Sequence, residues 1–415
     1  MPTMRGRLRE LAGLFLKLGA TAFGGPAAHV AMMEAEVVRR RGWMSREEFL
    51  DLLGATNLLP GPNSTKMALF VGHARAGLPG LLVAGLSFVL PATAIVLGFS
   101  WTYVRFGALP AMPHFFEGIK PVVLALIAHA LVILGRTAVK SRFLLALGGA
   151  AFAAAFFVHE FVLLLVAGAV SVLAMQIGDF LRRERGGGVP VPPERRGGPA
   201  AGGARGGARV ARDEAAQPHA PSKRSSLPLF FLPLLSSSPA ISSSFSLSSL
   251  FLFFLKTGAI LFGSGYVLLA FLKNDLVERW HWLTNAQLLD AVAVGQFTPG
   301  PLSSTATFIG YVLAGPAGAA VATAGIFLPA FALVAAFGSF VPRLRASRAL
   351  GAFLDGVNVG ALALMAAVTL QLAHAALVNV PTAALFLATV AVLSVVRLNA
   401  AWLVLAGGLL GIAFG

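Results

Sequence analysis

Two Pro-Gly-Pro triplets, Pro60-Gly61-Pro62 and Pro299-Gly300-Pro301, interrupt strongly apolar stretches of the chain. Each follows an earlier interruption, Phe23-Gly24-Gly25-Pro26 in one case and Phe262-Gly263-Ser264-Gly265 in the other. Proline removes a helix N–H and clashes with the preceding turn, and glycine admits non-helical angles, so such elements break a helix outright. Where the helix resumes, its first N–H groups are free and carry about half a unit of positive charge, a setting that suits an anion. Pro26 and Pro62 fit the first turn of a resumed helix. Asn63, Ser64 and Thr65 after the first triplet, with Ser303, Ser304 and Thr305 after the second, add hydrogen-bonding side chains at the same place. Asn57 and Gln296, three residues ahead of the triplets, offer carboxamides that can bind an oxyanion without adding charge or can satisfy the broken backbone.

Three lysines lie near these breaks. Lys17 and Lys256 occupy matching positions early in their segments, where a lysine either attracts an anion or snorkels to the interface. Lys66 stands just past the first triplet with Thr305 as its counterpart, so any contribution it makes is one-sided. Asp51, Asp290, Glu117 and Asp355 lie near segment ends and read as interfacial or structural. No acidic residue reads as mid-span, so the sequence shows no proton relay.

The elements that must position these residues are apolar runs. A helix needs about 20 apolar residues to span a bilayer. Runs long enough to cross or enter one fall at 11–33, 50–72, 79–104, 119–135, 142–158 and 160–181, and again at 248–272, 287–312, 317–341, 353–375, 380–396 and 400–415. The final pair in each set is short and closely connected. Between the sets, residues 182–247 are different material: a Gly-, Pro-, Ala- and Arg-rich part and then a Ser-rich part. That composition predicts a disordered linker. The expected organisation is an N-terminal half over 1–181, the linker over 182–247 and a C-terminal half over 248–415. The fold class is all-α: a polytopic membrane protein of two related halves, each of five or six segments with helices broken at the Gly/Pro motifs.

An internal repeat ties the halves together. Phe15-Leu16-Lys17-Leu18-Gly19 aligns with Phe254-Leu255-Lys256-Thr257-Gly258, Trp43 with Trp282, Asp51 with Asp290 and Asn57 with Gln296, all at the 239-position offset that separates Pro60 from Pro299. Shared leucine and alanine would arise by chance; this ordered set of Gly, Pro, Trp and charge requires duplication. A single Gly/Pro break is most simply a kink or a close helix contact. Breaks paired at corresponding places in two halves point instead to a transporter's binding site.

Composition narrows the function. Of 415 residues, 57% are hydrophobic and 12% charged, against roughly 25% charged in soluble domains. The net charge of +15 does not signal nucleic acid, because the basic residues cluster in the linker and in short connections such as Arg39-Arg40-Arg41, without interleaved aromatics. Such loops suit membrane flanks. With no cysteine, thiol nucleophiles and Cys-based metal sites are excluded. His159-Glu160 reads as a polar turn without the usual metal partners. No catalytic constellation, metal site or cofactor motif is present, which argues against an intramembrane enzyme.

Phe23-Gly24-Gly25-Pro26-Ala27-Ala28-His29, Trp43-Met44-Ser45 and Leu59-Pro60-Gly61-Pro62 resemble the N-terminal half of the chromate ion transporter family. Phe262-Gly263-Ser264-Gly265, Trp282-Leu283-Thr284 and Thr298-Pro299-Gly300-Pro301 resemble its C-terminal half. The resemblance implies a two-half, long-chain secondary transporter that exports chromate, with sulfate as a related oxyanion, and so confers chromate resistance. It also implies halves of opposed orientation. The expected location is the plasma membrane, with an organellar membrane as the alternative, and a homodimer is an expected assembly. Opposed halves need an odd number of crossings each, which the six runs meet only if one, 11–33 or the final pair, is a re-entrant hairpin. Asn57 stands where the family pattern has glutamine, and Ser264 and Tyr266 replace glycine and histidine; these departures bear on substrate preference. A channel or transporter for another inorganic anion or small solute is the competing reading.

Overall fold

The computed structural model describes residues 3–23, 25–106, 111–185, 245–262, 267–338, 347–396 and 400–414. Of the expected linker, residues 186–244 lie outside them, as do Gly24, Gly263, Ser264, Gly265 and Tyr266; its first four residues, 182–185, instead continue a helix, and Leu247 at its end opens one. The chain forms two compact units, one of Met1–Gln176 with Ser242–Gly415 and one of Ile177–Ile241. The first holds both halves; of the second, only the last turns of one helix are described.

Every described element is helical, and the halves repeat one succession. In the first, α1 (Met4–Thr21) leads to α2 (Gly25–Glu34), which continues as the π-helical turn Ala35–Arg40. Then come α3 (Arg46–Thr56), α4 (Asn63–Phe106), α5 (Ala111–Ala138), α6 (Arg142–Ala154) and α7 (Glu160–Arg185). In the second, α8 (Leu247–Ile260) leads to α9 (Leu268–Phe271), which continues as the π-helical turn Leu272–Arg279. Then come α10 (Asn285–Phe297), α11 (Thr305–Phe337), α12 (Arg348–Ala376), α13 (Val380–Val395) and α14 (Ala400–Phe414). Local sequence explains the matching starts: α3 and α10 both open on a capping box, Ser45 with Glu48 and Thr284 with Gln287.

Neither α4 nor α11 is straight. At Gly77 and Gly315 the backbone takes φ near +60° (60° and 59°) with ψ of −149° and −150°, angles open to glycine and strained for any other residue. The chain doubles back at both points. In an unbroken helix Gly72 and Gly80 would lie about 12 Å apart, yet a methyl on Gly72 would fall 2.3 Å from the Gly80 carbonyl oxygen. Thr307 and Thr323 likewise share a hydroxyl hydrogen bond of 2.8 Å across the second reversal. Each helix is thus a short arm (α4a, α11a) followed by a long one (α4b, α11b). The long arms run over residues 78–106 and 316–337, about 43 Å and 33 Å at the helical rise, enough to cross a hydrocarbon core of about 30 Å.

The elements before each reversal form two re-entrant hairpins. In the first, α1 runs inward and α2 returns, braced by the Lys17–Glu36 ion pair of 3.3 Å. Both ends of this hairpin meet at Arg75: its guanidinium pairs with Glu10 (3.0 Å) and stacks on Trp43 (4.9 Å), and its carbonyl accepts from Arg7. In the second, α3 enters from the same face and α4a returns to Arg75. Residues 11–33 are therefore a re-entrant hairpin, and 50–72, which hydropathy also admits as a crossing, form another. The second half repeats this with Lys256–Asp275 (3.7 Å) as the brace and Phe253, Trp280, Trp282 and Phe245 stacked at the outer ends.

The halves interlock around α4b and α11b, which cross in opposite directions. Leu81 and Gly85, early in α4b, pack with Ala330, Phe331 and Val334, late in α11b, whereas Tyr103 at the far end of α4b stacks on Phe308 of the short arm α11a. The helices α5 and α14 also run antiparallel, so close that a methyl on Gly118 would strike the Gly407 carbonyl (2.2 Å); Gly356 of α12 and Ala167 of α7 repeat this contact (2.3 Å). Contacts exchanged in this reciprocal way define a pseudo-two-fold relation, and its axis is perpendicular to the long arms. The halves are inverted with respect to one another. Among the described residues five helices are long and apolar enough to cross a membrane: Asn63–Phe106, Pro113–Ala138, Glu160–Leu181, Leu302–Phe337 and Arg348–Ala376.

Candidate functional site

The inner tips of the hairpins are the Gly/Pro breaks, and they meet across the two halves. Gly61 donates its N–H to the Leu261 carbonyl at the end of α8 (2.6 Å), and Gly300 donates to the Ala22 carbonyl at the end of α1 (2.8 Å). A helix leaves its last carbonyls unsatisfied; here a triplet from one half satisfies a carbonyl in the other. Gly61 has φ +112° and Gly300 φ +89°, and a methyl there would lie 3.0 Å from Ala330 Cβ and 2.7 Å from Ala92 Cβ respectively. Glycine is needed at both for conformation and for space.

All six triplet residues, Pro60, Gly61, Pro62, Pro299, Gly300 and Pro301, are buried. Gly25 and Pro26 open α2. The nearby His29, 1% exposed, donates through Nε2 to the same Ala22 carbonyl (3.0 Å) and so fastens the α1/α2 tip. Asn57 caps the C-terminus of α3 and accepts from the Asn63 amide (3.3 Å). Its counterpart Gln296 lies in the last turn of α10.

Lys66, just past the first triplet, is more deeply placed than the other two lysines. It is fully buried at 0% exposure, and its ammonium donates to the carbonyls of Thr56 (2.5 Å) and Leu59, which close α3 and the loop before the triplet. No carboxylate pairs with it among the described residues. Its stem lies 3.6 Å from the position of a Gly61 Cβ, which puts the charge beside the tip. The side chains of Thr65, Ser303 and Ser304 are buried as well, and their hydroxyls have no hydrogen-bond partner among the described residues. Ser64 is buried beside Thr65. Each triplet is thus followed by buried polar groups: the Lys66 ammonium and the Thr65 hydroxyl after the first, the Ser303 and Ser304 hydroxyls after the second.

Lys17 and Lys256 belong to the braces. Lys17 is ion-paired to Glu36, which also holds Arg40 (2.9 Å) and Arg41 (3.4 Å), and its side chain is 57% exposed. Lys256 is paired to Asp275, which also meets Arg279 at 3.7 Å. Two acidic residues that read alike in sequence separate here: Asp51 is exposed, but Asp290 is buried. His159 and Glu160 approach Asp275, their ligand atoms lying within 4.8 Å of one another. However, His159 accepts the Phe161 N–H at Nδ1, leaving Nε2 to carry the proton in the neutral ring, and Asp275 already has two cations. That arrangement suits an ion-pair network better than a metal.

A family model described as "Chromate transporter" matches the chain twice, over residues 9–173 and 248–412. Over 391 residues the chain is 32% identical to the chromate transport protein of Cupriavidus metallidurans, covering 93% of this chain and 88% of that one. It is 30% identical over 378 residues to a probable chromate transport protein of Synechococcus elongatus (90% and 87%), and 30% identical over 410 residues to the chromate transport protein of Pseudomonas aeruginosa (97% and 91%). No solved structure matches the chain. With the family model present once in each half, and the spans and the duplication in agreement with it, this chain is an integral membrane transport protein, not an enzyme, and it belongs to the chromate transporter family.

Proposed function

We propose that this protein is a secondary transporter that exports chromate across the plasma membrane, that sulfate or a related oxyanion competes with it, and that the anion binds where the hairpin tips of the two halves meet. The observation that carries this reading is Lys66: a buried ammonium beside Gly61 that faces no carboxylate among the described residues. An uncompensated buried charge costs several kcal/mol, and an oxyanion offsets that cost while accepting from the free N–H and hydroxyl donors around it. The names of the relatives support chromate as the oxyanion.

The test is uptake by purified protein in liposomes under an imposed gradient. Chromate accumulation that sulfate competes with is the expected result; movement of neither anion would refute the reading. Adding molybdate and chloride as competitors tests the alternative of a pathway for another inorganic anion, which preferential movement of chloride would favour.

A further inference from the structure

One buried acidic residue that the anion site does not use is Asp290, on α10 and outside the five spans. It is 5% exposed. Its Oδ2 accepts a hydrogen bond from the Tyr103 hydroxyl (3.0 Å), while its Oδ1 is buried with no partner among the described residues. Both residues line an open cavity of about 440 Å³, together with Lys120, Glu117 and Gln287. The cavity lies where the end of α4b, the start of α5 and the first turns of α10 converge, so it opens at the face from which the second half's hairpins enter. Its counterpart in the repeat, Asp51, is exposed. Duplication therefore produced one exposed carboxylate and one enclosed carboxylate with an unpartnered oxygen among the described residues.

We infer that Asp290 is a proton-binding site, filled from this cavity, and that its occupancy controls access of the anion from the second-half face. A buried charged carboxylate with an oxygen that lacks a donor is costly, and protonation at Oδ1 removes that charge while Oδ2 keeps accepting from Tyr103. Burial pushes the carboxyl up to about 6, against the pull of the Lys120 ammonium and the Tyr103 hydrogen bond. The groups facing it are Tyr103 from α4 and Lys120 and Glu117 from α5; α11 contributes Val312, and α14 carries no ionisable side chain. The charges of the neighbouring π-helical turn are engaged elsewhere, Lys273 with Glu278 and Arg279 with Asp275, and Asp355 of α12 holds Lys140. The Gln296 carboxamide is six residues further along α10, about 9 Å at the helical rise. At that range a carboxylate opposes an approaching oxyanion, and protonation removes the opposition.

The link to transport rests on the oxyanion reading; the proton site does not. Infrared titration of the purified full chain reads the site directly. A protonated-carboxyl band with a midpoint near pH 6 is expected, and it disappears in Asp290→Asn. Tyr103→Phe, which removes a donor to the charged form, moves the midpoint to higher pH; a purely structural Tyr103 would leave it in place. Sulfate uptake from the second-half face should then rise about tenfold between about pH 7.5 and about pH 5 in the parent chain, and stay within about twofold in Asp290→Asn. A band that survives in Asp290→Asn overturns the proton site. If the band is lost but the pH profile of uptake is unchanged, the control of access is overturned. If no oxyanion moves in any variant while the band behaves as expected, the transport reading fails and the proton site stands.

Discussion

The two Pro-Gly-Pro tips are alike in backbone and unlike in chemistry. Both glycines have positive φ, both donate to the terminal carbonyl of the opposite half's first helix, and both leave no room for a side chain. Past the first triplet, however, stands the buried Lys66, and past the second stand the uncommitted hydroxyls of Ser303 and Ser304. The shared backbone is what an inverted duplication needs in order to close on itself. In the proposed site the first tip would supply the charge along with the Thr65 hydroxyl, and the second tip hydroxyls only.

Replacing the tip glycines should give the largest effects and should rank them. Gly300→Val, with Ala92 Cβ at 2.7 Å and the Gly19 carbonyl oxygen at 3.0 Å from the new Cβ, should abolish transport. Gly61→Val, whose tightest neighbour is Ala330 Cβ at 3.0 Å, should do so less completely. Initial uptake rates normalised to inserted protein check this, and parent-like rates in both variants would remove the triplets from the site. Next in size, Lys66→Met should weaken oxyanion binding by about 10- to 100-fold, in line with charged hydrogen bonds of about 1.5–3 kcal/mol. Thr305→Val at the equivalent position should change it far less, because that hydroxyl is committed to the Leu302 carbonyl (2.8 Å). Equal losses at the two positions would erase the asymmetry.

Ser303→Ala and Ser304→Ala should each raise KM by several-fold, up to about tenfold where the hydroxyl donates to the anion. KM rather than the maximal rate is the quantity to read, since a merely structural hydroxyl would lower the amount of folded protein instead. The smallest effects should come from the braces. Lys17→Met, at an exposed pair, should leave KM within about twofold of the parent, as surface ion pairs contribute about 0–1 kcal/mol. Lys256→Met removes a less exposed partner of Asp275 and should lower thermal stability more than its counterpart does.

Much of this was legible in the residues. The duplication, the breaks and the glycines within them follow from types and spacing alone, because Gly and Pro act through local backbone geometry. Three features were not legible. Hydropathy cannot distinguish a crossing from a pair of re-entrant arms, so 50–72 resembled a span; the reversal at Gly77 is a single glycine inside an apolar run. Lys66 read as a one-sided neighbour of the first triplet, but its burial was not visible because its partners are backbone carbonyls, which no side-chain pattern reveals. Asp51 and Asp290 align in the repeat, yet only the three-dimensional closure of α4b, α5 and α10 buries one while the other stays exposed.

The claim that both tips build one anion site is tested most directly by calorimetric titration of sulfate and of chromate into the purified full chain. The account predicts one oxyanion per chain, with affinity lost on Lys66→Met in the first half and on paired Ser303→Ala, Ser304→Ala in the second. Two independent sites, or one site weakened by substitutions in a single half only, would contradict it.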